Sequence, residues 1–359
     1  MKLNTLKLGI IGGGQLGMFL AKSAKNINIE AHVYSNTKDA PAKKYASKMY
    51  YGPFEDSKKL INFSKKVDVI TYEFENVSVE SLKKINKTKN IFPPINALSI
   101  SQNREFEKKF FIKNKISHAK SFFLNKKKDL DDIKNKIRFP VILKTSRFGY
   151  DGKGQFIANS FYELKKYWKD LNFIPCIIEK KIKLKKELSV VCVRDQNKKI
   201  FCYPTFRNIH KNHILFETYS PSGINNKLEK KLINISKKII KKLNYIGVLT
   251  IEFFVDNNNR IYTNELAPRV HNSGHITLDN SDINQFDQHI RAVCGLNLID
   301  TVNLNKGLMR NLIGRDIKLI AKIAKEKRYK SYSKVKRYSY NKQEVKDGRK
   351  MGHLNFIKS

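Results

Sequence analysis

Val248-Leu249-Thr250-Ile251-Glu252-Phe253-Phe254-Val255, then Asp256-Asn257-Asn258-Asn259-Arg260, then Ile261-Tyr262-Thr263-Asn264-Glu265-Leu266, is the stretch that decides the fold of this 359-residue chain. Two runs rich in β-branched and aromatic residues flank a polar turn, which predicts a β-hairpin. If Asp256 faces Ile261 across the turn, Glu252 faces Glu265. Like charges opposed in a sheet cost stability. A shared Mg²⁺ would remove that cost and bridge nucleotide phosphates, with Mn²⁺ an alternative. Asn264 beside Glu265 offers a further oxygen. The plainer reading is two acids on a solvent-facing edge. The apolar flanks Thr250-Ile251 and Phe253-Phe254 weaken it, because carboxylates in such surroundings usually serve a ligand.

Three further segments carry chemistry. Directly after the hairpin comes Ala267-Pro268-Arg269-Val270-His271-Asn272-Ser273-Gly274-His275. Arg269 presents a planar fork for phosphate or carboxylate, and His271, Asn272 and Ser273 are short-range donors. Upstream, Phe139 to Lys144 reads as a strand running into the glycine-rich loop Gly149-Tyr150-Asp151-Gly152-Lys153-Gly154-Gln155. A lysine ending a buried strand before such a loop suits a triphosphate, which the loop could cover. It is not a Walker A loop, because the lysine precedes the glycines. Near the start, Gly12-x-Gly14-x-x-Gly17 follows a strand and opens a helix, as in anion-binding turns. Nicotinamide binding would want an acid at the end of the second strand, but Val33-Tyr34-Ser35-Asn36 has none before Asp39. An anion pocket or a ligand-free tight turn remains.

Composition narrows the class. Hydrophobic residues make up 41%, enough for real cores, and the length favours more than one domain. The net charge of +39 raises nucleic-acid binding as a possibility. The lysines are spread along the chain, however, with only short runs such as Lys126 to Lys128 and no basic tail. A solvated basic surface that steers anionic substrates is the better account, without a nucleic-acid partner. Cys176, Cys192, Cys202 and Cys294 form no CxxC pair, which suits a reduced, cytoplasmic setting. No apolar run approaches the roughly 20 residues of a membrane helix, so no membrane partner is expected. Met1 to Leu20 could pass for a signal peptide, but its glycine run fits a strand-to-loop turn better.

The fold expectation is α/β and α+β. Residues 7 to 70 alternate strand and helix, as in a parallel sheet with helices on its faces. Phe92-Pro93-Pro94-Ile95 marks a boundary, and a charged helix begins near Gln102. Leu188 to Arg194 and Lys199 to Pro204 read as antiparallel, and Leu228 to Leu243 as an amphipathic helix. After Leu298 the pattern weakens into a small strand-rich tail.

In order, GGGQLGM (12–18), TYEFENV (71–77), QNREFEKKFF (102–111), LKTSRFGYDGKGQ (143–155), CYPTFRNIH (202–210), YIGVLTIEFF (245–254), NELAPRVHNSGH (264–275), QFDQHIRAVCGLNL (285–298) and GRKMGH (348–353) resemble one family. It is the 5-(carboxyamino)imidazole ribonucleotide synthase family of ATP-grasp carboxylases in purine synthesis. The resemblance implies a Rossmann-like N-terminal domain (1–100), an ATP-grasp domain (101–298) with a mobile lid (about 115–180) and a small β-rich C-terminal domain (299–359). It also implies a homodimer, and bicarbonate, ATP and 5-aminoimidazole ribonucleotide as substrates.

By the same resemblance, ATP falls to Arg104, Lys144, Gly149, Tyr150, Asp151, Gly152, Lys153, Gly154, Gln155, Glu179, Glu187, His210, Asn264 and Glu265. Metal falls to Glu252 and Glu265. The ribonucleotide falls to Gly14, Gln15, Leu16, Glu73, Tyr150, Asp151, Arg269, His271, Asn272, Ser273, Lys342 and Arg349. Asp151, Arg269 and Lys342 are the expected catalytic groups, Asp151 and Lys342 moving a proton. Departures from the family pattern are Val270 for proline, His213 for glycine, and Lys346-Asp347 for Arg-Pro. Lys346 keeps the charge and loses the bidentate fork. Alternatives are another ATP-grasp ligase acting on glycinamide ribonucleotide or biotin, a Rossmann oxidoreductase, and a nucleic-acid-binding module.

Overall fold

Short apolar strands alternate with helices from Lys7 onward, and their register builds a parallel sheet. The computed structural model describes residues 6–147, 149, 154–300 and 304–358. Tyr150, Asp151, Gly152 and Lys153 lie outside the described residues. Strands β1 (Lys7–Ile11), β2 (Glu30–Ser35), β3 (Lys48–Tyr51), β4 (Val69–Tyr72) and β5 (Asn90–Ile91) lie in the order β3-β2-β1-β4-β5. The reversal of order between β1 and β4 is where such sheets open a crevice. Helix α1 (Gln15–Asn26) starts there, straight after the glycine turn. Gly12 has φ +118°, and a Cβ on Gly17 would sit 2.3 Å from the Gly12 carbonyl oxygen. Those two positions require glycine.

A second sheet holds β6 (Ser121–Leu124), β7 (Val141–Thr145), β8 (Gln155–Ala158) and β9 (Cys176–Lys180) in the order β6-β9-β7-β8. Helices Lys127–Ile133 and Phe161–Asp170 share its core around Leu124, Leu143 and Trp168.

The third sheet contains β10 (Leu184–Arg194), β11 (Ile200–Cys202), β12 (Phe206–Lys211), β13 (Ile214–Ser220), β14 (Gly247–Asp256), β15 (Ile261–Ala267), β16 (Lys306–Ile313), β17 (Lys334–Ser339) and β18 (Lys350–Lys358). Its path is β15-β14-β10-β12-β13-β16-β18-β17, with β11 beside β10. The tail strands therefore continue the central sheet, because β16 pairs with β13. Helix Asn226–Lys242 covers the sheet with Leu232, Ile239 and Ile240.

The hairpin is built one residue differently from expectation. Val255, not Asp256, faces Ile261, and Phe253 faces Thr263. A shift between Glu252 and Phe253 then brings Glu252 opposite Glu265. Asn264 is the extra residue of that bulge, and it restores the facing acids that the simple register also expected. Asp256 instead caps the turn, its Oδ1 accepting from the N–H groups of Asn258 and Arg260 at 2.9 Å each.

The first sheet docks on the third through α1 and helix Gln285–Val293. The Phe19 and Phe286 rings lie 5.0 Å apart. His289 bridges the two sheets, 2.8 Å from Thr71 Oγ1 through Nε2 and accepting from the Val248 N–H at Nδ1. Burial pushes its pKa down to about 3, so it stays neutral and suits an apolar seam.

Candidate active site

Glu252 on β14 is buried, whereas the side chain of Glu265 on β15 is 43% exposed. Burial first, and Glu265 second, push the Glu252 carboxyl up to about 8. His271 Nε2 lies 3.5 Å from Glu252 Oε1. It brings no positive charge, because burial and then Arg269 hold its pKa well below the ordinary value. Two facing carboxylates that resist joint ionisation are an oxygen-donor pair suited to a hard divalent cation. Among the described residues no group of three or more His, Cys, Asp or Glu side chains forms a metal cluster.

A basic cluster stands beside the carboxylates. Lys144, the penultimate residue of β7, pairs with Glu179 Oε2 on β9. Lys108 reaches Glu179 Oε1 at 3.1 Å. Burial alone would raise the Glu179 pKa, but Lys108 and Lys144 outweigh it and hold it far below the usual range. Burial lowers the pKa of Lys144, with Glu179 opposing. Arg104 Nη1 lies 3.6 Å from Glu265 Oε2, and its Nη2 donates to the Gly149 carbonyl at 3.4 Å. Glu187 pairs with His210, whose pKa rises because Glu187 and Glu252 outweigh burial.

The segment after β15 supplies a second set of donors. Arg269 Nη2 lies 2.8 Å from Glu75 Oε1. Ser273 Oγ lies 2.8 Å from His271 Nδ1 and accepts from Ser189 Oγ at 2.9 Å. Gln285 Oε1 accepts from the His271 N–H at 2.9 Å, and its Nε2 donates to the His271 carbonyl at 2.7 Å, which locks this turn.

The structure brings Arg104, Lys144, Gly149, Gln155, Glu179, Glu187, His210, Glu252, Asn264, Glu265, Arg269, His271 and Asn272 onto one cleft of about 480 Å³. That volume is typical of a small-molecule site. Gly14, Gln15, Leu16, Glu73, Gly154, Ser273, Lys342 and Arg349 do not line it. Several of these form an adjoining cluster. Glu73 Oε1 accepts from the Gly14 N–H at 2.7 Å, and the charges of Lys342 and Arg269 both act on Glu73. Lys342 Nζ donates to the Lys350 carbonyl at 2.8 Å, and Lys350 does line the cleft.

Sequence reasoning missed Glu75, Glu107, Lys108 and the Lys180–Ile182 edge of the cleft. Glu107 and Lys108 precede the buried Phe111 by four and three residues on helix Arg104–Lys113. Helical spacing alone could have flagged them as buried charges. The departures also find their places. His213 follows Asn212 in the β12–β13 turn with φ +63°, a conformation that glycine takes without strain. Val270 is fully buried in the main core. Lys346 Nζ lies on the surface 2.9 Å from Glu344 Oε2.

Comparison with known proteins fits this geometry. Residues 5–102 match the ribonucleotide synthetase preATP-grasp domain, 109–286 the ATP-grasp domain, and 307–359 the phosphoribosylaminoimidazole carboxylase C-terminal domain. N5-carboxyaminoimidazole ribonucleotide synthase of Bacillus subtilis (strain 168) is 38% identical over 351 residues, covering 98% of this chain and 91% of that one. The Staphylococcus aureus N5-carboxyaminoimidazole synthetase crystallised with ADP superposes with TM-score 0.91 at 36% identity, covering 100% of this chain and 95% of that one. The Aspergillus clavatus N5-carboxyaminoimidazole synthase, crystallised with ADP and 5-aminoimidazole ribonucleotide, gives TM-score 0.89 at 28% identity, covering 99% and 94%. With all three domain families in sequence and nearly the whole length matched, the chain belongs to the N5-carboxyaminoimidazole ribonucleotide synthases, within the ATP-grasp enzymes.

Proposed function

We propose that this cleft uses ATP and bicarbonate to carboxylate the exocyclic amine of 5-aminoimidazole ribonucleotide, yielding 5-(carboxyamino)imidazole ribonucleotide, ADP and phosphate in purine biosynthesis. The observation that carries the reading is the placing of Glu252 and Glu265 face to face within the cleft that also holds Lys144 and Arg269. Phosphoryl transfer needs positive charge where negative charge develops, which Lys144, Arg269 and a cation held by the two acids would supply.

Arg104 and Lys144 bind the nucleotide phosphates as preset cations, and Glu179 holds Lys144 in place until they arrive. Glu252 and Glu265 would hold Mg²⁺, or Mn²⁺ in its stead, which neutralises the transferring phosphoryl group when bound. Bicarbonate takes the phosphoryl group, and the resulting carboxyphosphate is labile in water. Sheet β6–β9 with its helices forms the lid that shields the labile intermediate from solvent. Arg269 and the His271–Ser273 turn hold the carboxylate next to the acceptor. The acceptor binds against the Gly14–Leu16 turn, Glu73, Lys342 and Arg349, adjoining the cleft. The amine attacks the carboxyl carbon of carboxyphosphate, inorganic phosphate leaves, and Lys342, together with Asp151, takes the amine's proton.

The enzyme works as a homodimer in the cytoplasm. The four cysteines are free, and among the described residues no helix is long and apolar enough to cross a membrane. The test is ADP release with MgATP and bicarbonate, with and without 5-aminoimidazole ribonucleotide. Release that depends on the ribonucleotide supports the function. Release with no such dependence points to another amine acceptor, and no release at all overturns the proposal.

A further inference from the structure

Strand β15 is the edge of the large sheet, and two parts of its outer side are pinned separately. Near the turn, the Thr263 N–H donates to the Ser117 carbonyl at 2.8 Å, and Ser117 Oγ donates to the Ile261 carbonyl at 2.6 Å. Beyond the bulge, Lys108 Nζ donates to the Asn264 carbonyl at 2.6 Å, and the Leu266 N–H donates to Glu107 Oε1 at 2.7 Å. Asn264 and Leu266 bracket Glu265. A bulge leaves backbone groups without ladder partners, and buried groups of that kind need others. Two consecutive side chains of helix Arg104–Lys113 supply them.

The consequence is a choice of register. If the pairing Phe253–Thr263 ran on without a bulge, Asn264 would face Glu252 and Glu265 would turn to the opposite face. We propose that Glu107 and Lys108 are positioning residues that hold the bulge at Asn264 and so present Glu265 opposite Glu252. The inference rests on the reading of those two acids as the cation-binding pair. Both side chains are about 2% exposed, and Lys108 Nζ lies 3.6 Å from Glu107 Oε2. A buried ion pair adds little stability over an apolar replacement, and fixing register is its best-attested use. Lys108 also holds Glu179 at 3.1 Å, so one ammonium sets the cleft edge against the hairpin.

The experiment compares Glu107→Leu/Lys108→Met with Glu107→Gln in the full-length protein. Crystal structures read the register, Mn²⁺ binding in the presence of ADP is followed by electron paramagnetic resonance, and KM for the ribonucleotide is measured alongside. The double variant is expected to place Asn264 opposite Glu252 and to bind Mn²⁺–ADP about 10–100-fold more weakly, the usual cost of losing support behind a metal ligand. Glu107→Gln still offers an oxygen to the Leu266 N–H and is expected to keep the register and Mn²⁺ affinity. A double variant that keeps Glu265 opposite Glu252 with wild-type Mn²⁺ affinity overturns the proposal. So does a loss of register in Glu107→Gln. If the double variant does not fold, Lys108→Met alone is judged by the same two readouts. Should the wild-type enzyme show no ribonucleotide-dependent ADP release, the assigned reaction fails while the register comparison still decides this inference.

Discussion

Arg269 and Glu75 form a 2.8 Å ion pair between the segment after β15 and the loop after β4. The guanidinium assigned to the carboxylate is thus oriented by an acid from the first sheet. Burial pushes the Glu75 carboxyl up, and Arg269 opposes that shift. Gln102 Nε2 donates to the Glu75 carbonyl at 2.7 Å, so the acid rests on a fixed backbone. Glu75→Gln should lower kcat roughly tenfold, because Arg269 loses its orientation and keeps its charge. Arg269→Ala should cost about 10²–10³, the usual loss of a group that stabilises a transition state. Steady-state ADP release, with ATP and ribonucleotide varied separately, should show the ATP KM nearly unchanged in Glu75→Gln. Wild-type kcat in that variant would reject the pairing as functional.

Glu252→Gln separates stability from activity. Opposed carboxylates repel, and desolvation adds to the cost at Glu252. With its carboxyl pushed up to about 8, Glu252 must take up a proton on folding at neutral pH; Gln removes that cost and should raise the melting temperature of the nucleotide-free protein by a few degrees. The same change removes one carboxylate of the proposed cation pair and should reduce ADP release at least about 10³-fold. A variant less stable than wild type, or one with near-normal turnover, would count against the facing acids as a ligand site.

The glycine turn and the hairpin were legible because each is local. Glycine spacing, β-branched runs and a polar turn act within about 20 residues. Two features were not legible for the same reason. The bulge at Asn264 depends on Glu107 and Lys108, well over a hundred positions upstream, and no local pattern encodes that contact. The β13–β16 pairing likewise joins Glu217 to Arg310 across the whole β14–β15 hairpin, so no local pattern showed that the strands of the C-terminal domain continue the central sheet. Glu75 was in plain view within TYEFENV, but only the fold shows that it points at Arg269 while Glu73 turns to Gly14.

Gly17→Ala tests the turn. Its methyl group would lie 2.3 Å from the Gly12 carbonyl oxygen, a backbone clash that no rotamer relieves. The forced backbone shift should destabilise the protein by about 1–3 kcal/mol. Because this turn is proposed to hold the acceptor, KM for the ribonucleotide should rise more than KM for ATP. Equal changes in both, or a melting temperature equal to wild type, would remove the turn from the acceptor site.

Lys342 sets a pH limb. Burial first, and Arg349 second, lower its pKa to about 8, with Glu73 opposing. A lysine depressed in the fold binds fewer protons than in the unfolded chain between about 8 and its ordinary value of 10.5. Its contribution to stability therefore rises with pH across that window, and the penalty is fully present below pH 8. The neutral amine above that pH can accept a proton and still donate its N–H to the Lys350 carbonyl. The ribonucleotide kcat/KM should rise through a limb near pH 8, and Lys342→Arg should abolish the limb and most of the activity. Arg349→Gln removes the neighbouring positive charge and should move the limb to higher pH, apart from any rise in KM. A pH–rate profile measured at saturating ATP decides it. An unchanged limb in Lys342→Arg would assign the titration to another group and leave Lys342 as a charge that binds the acceptor.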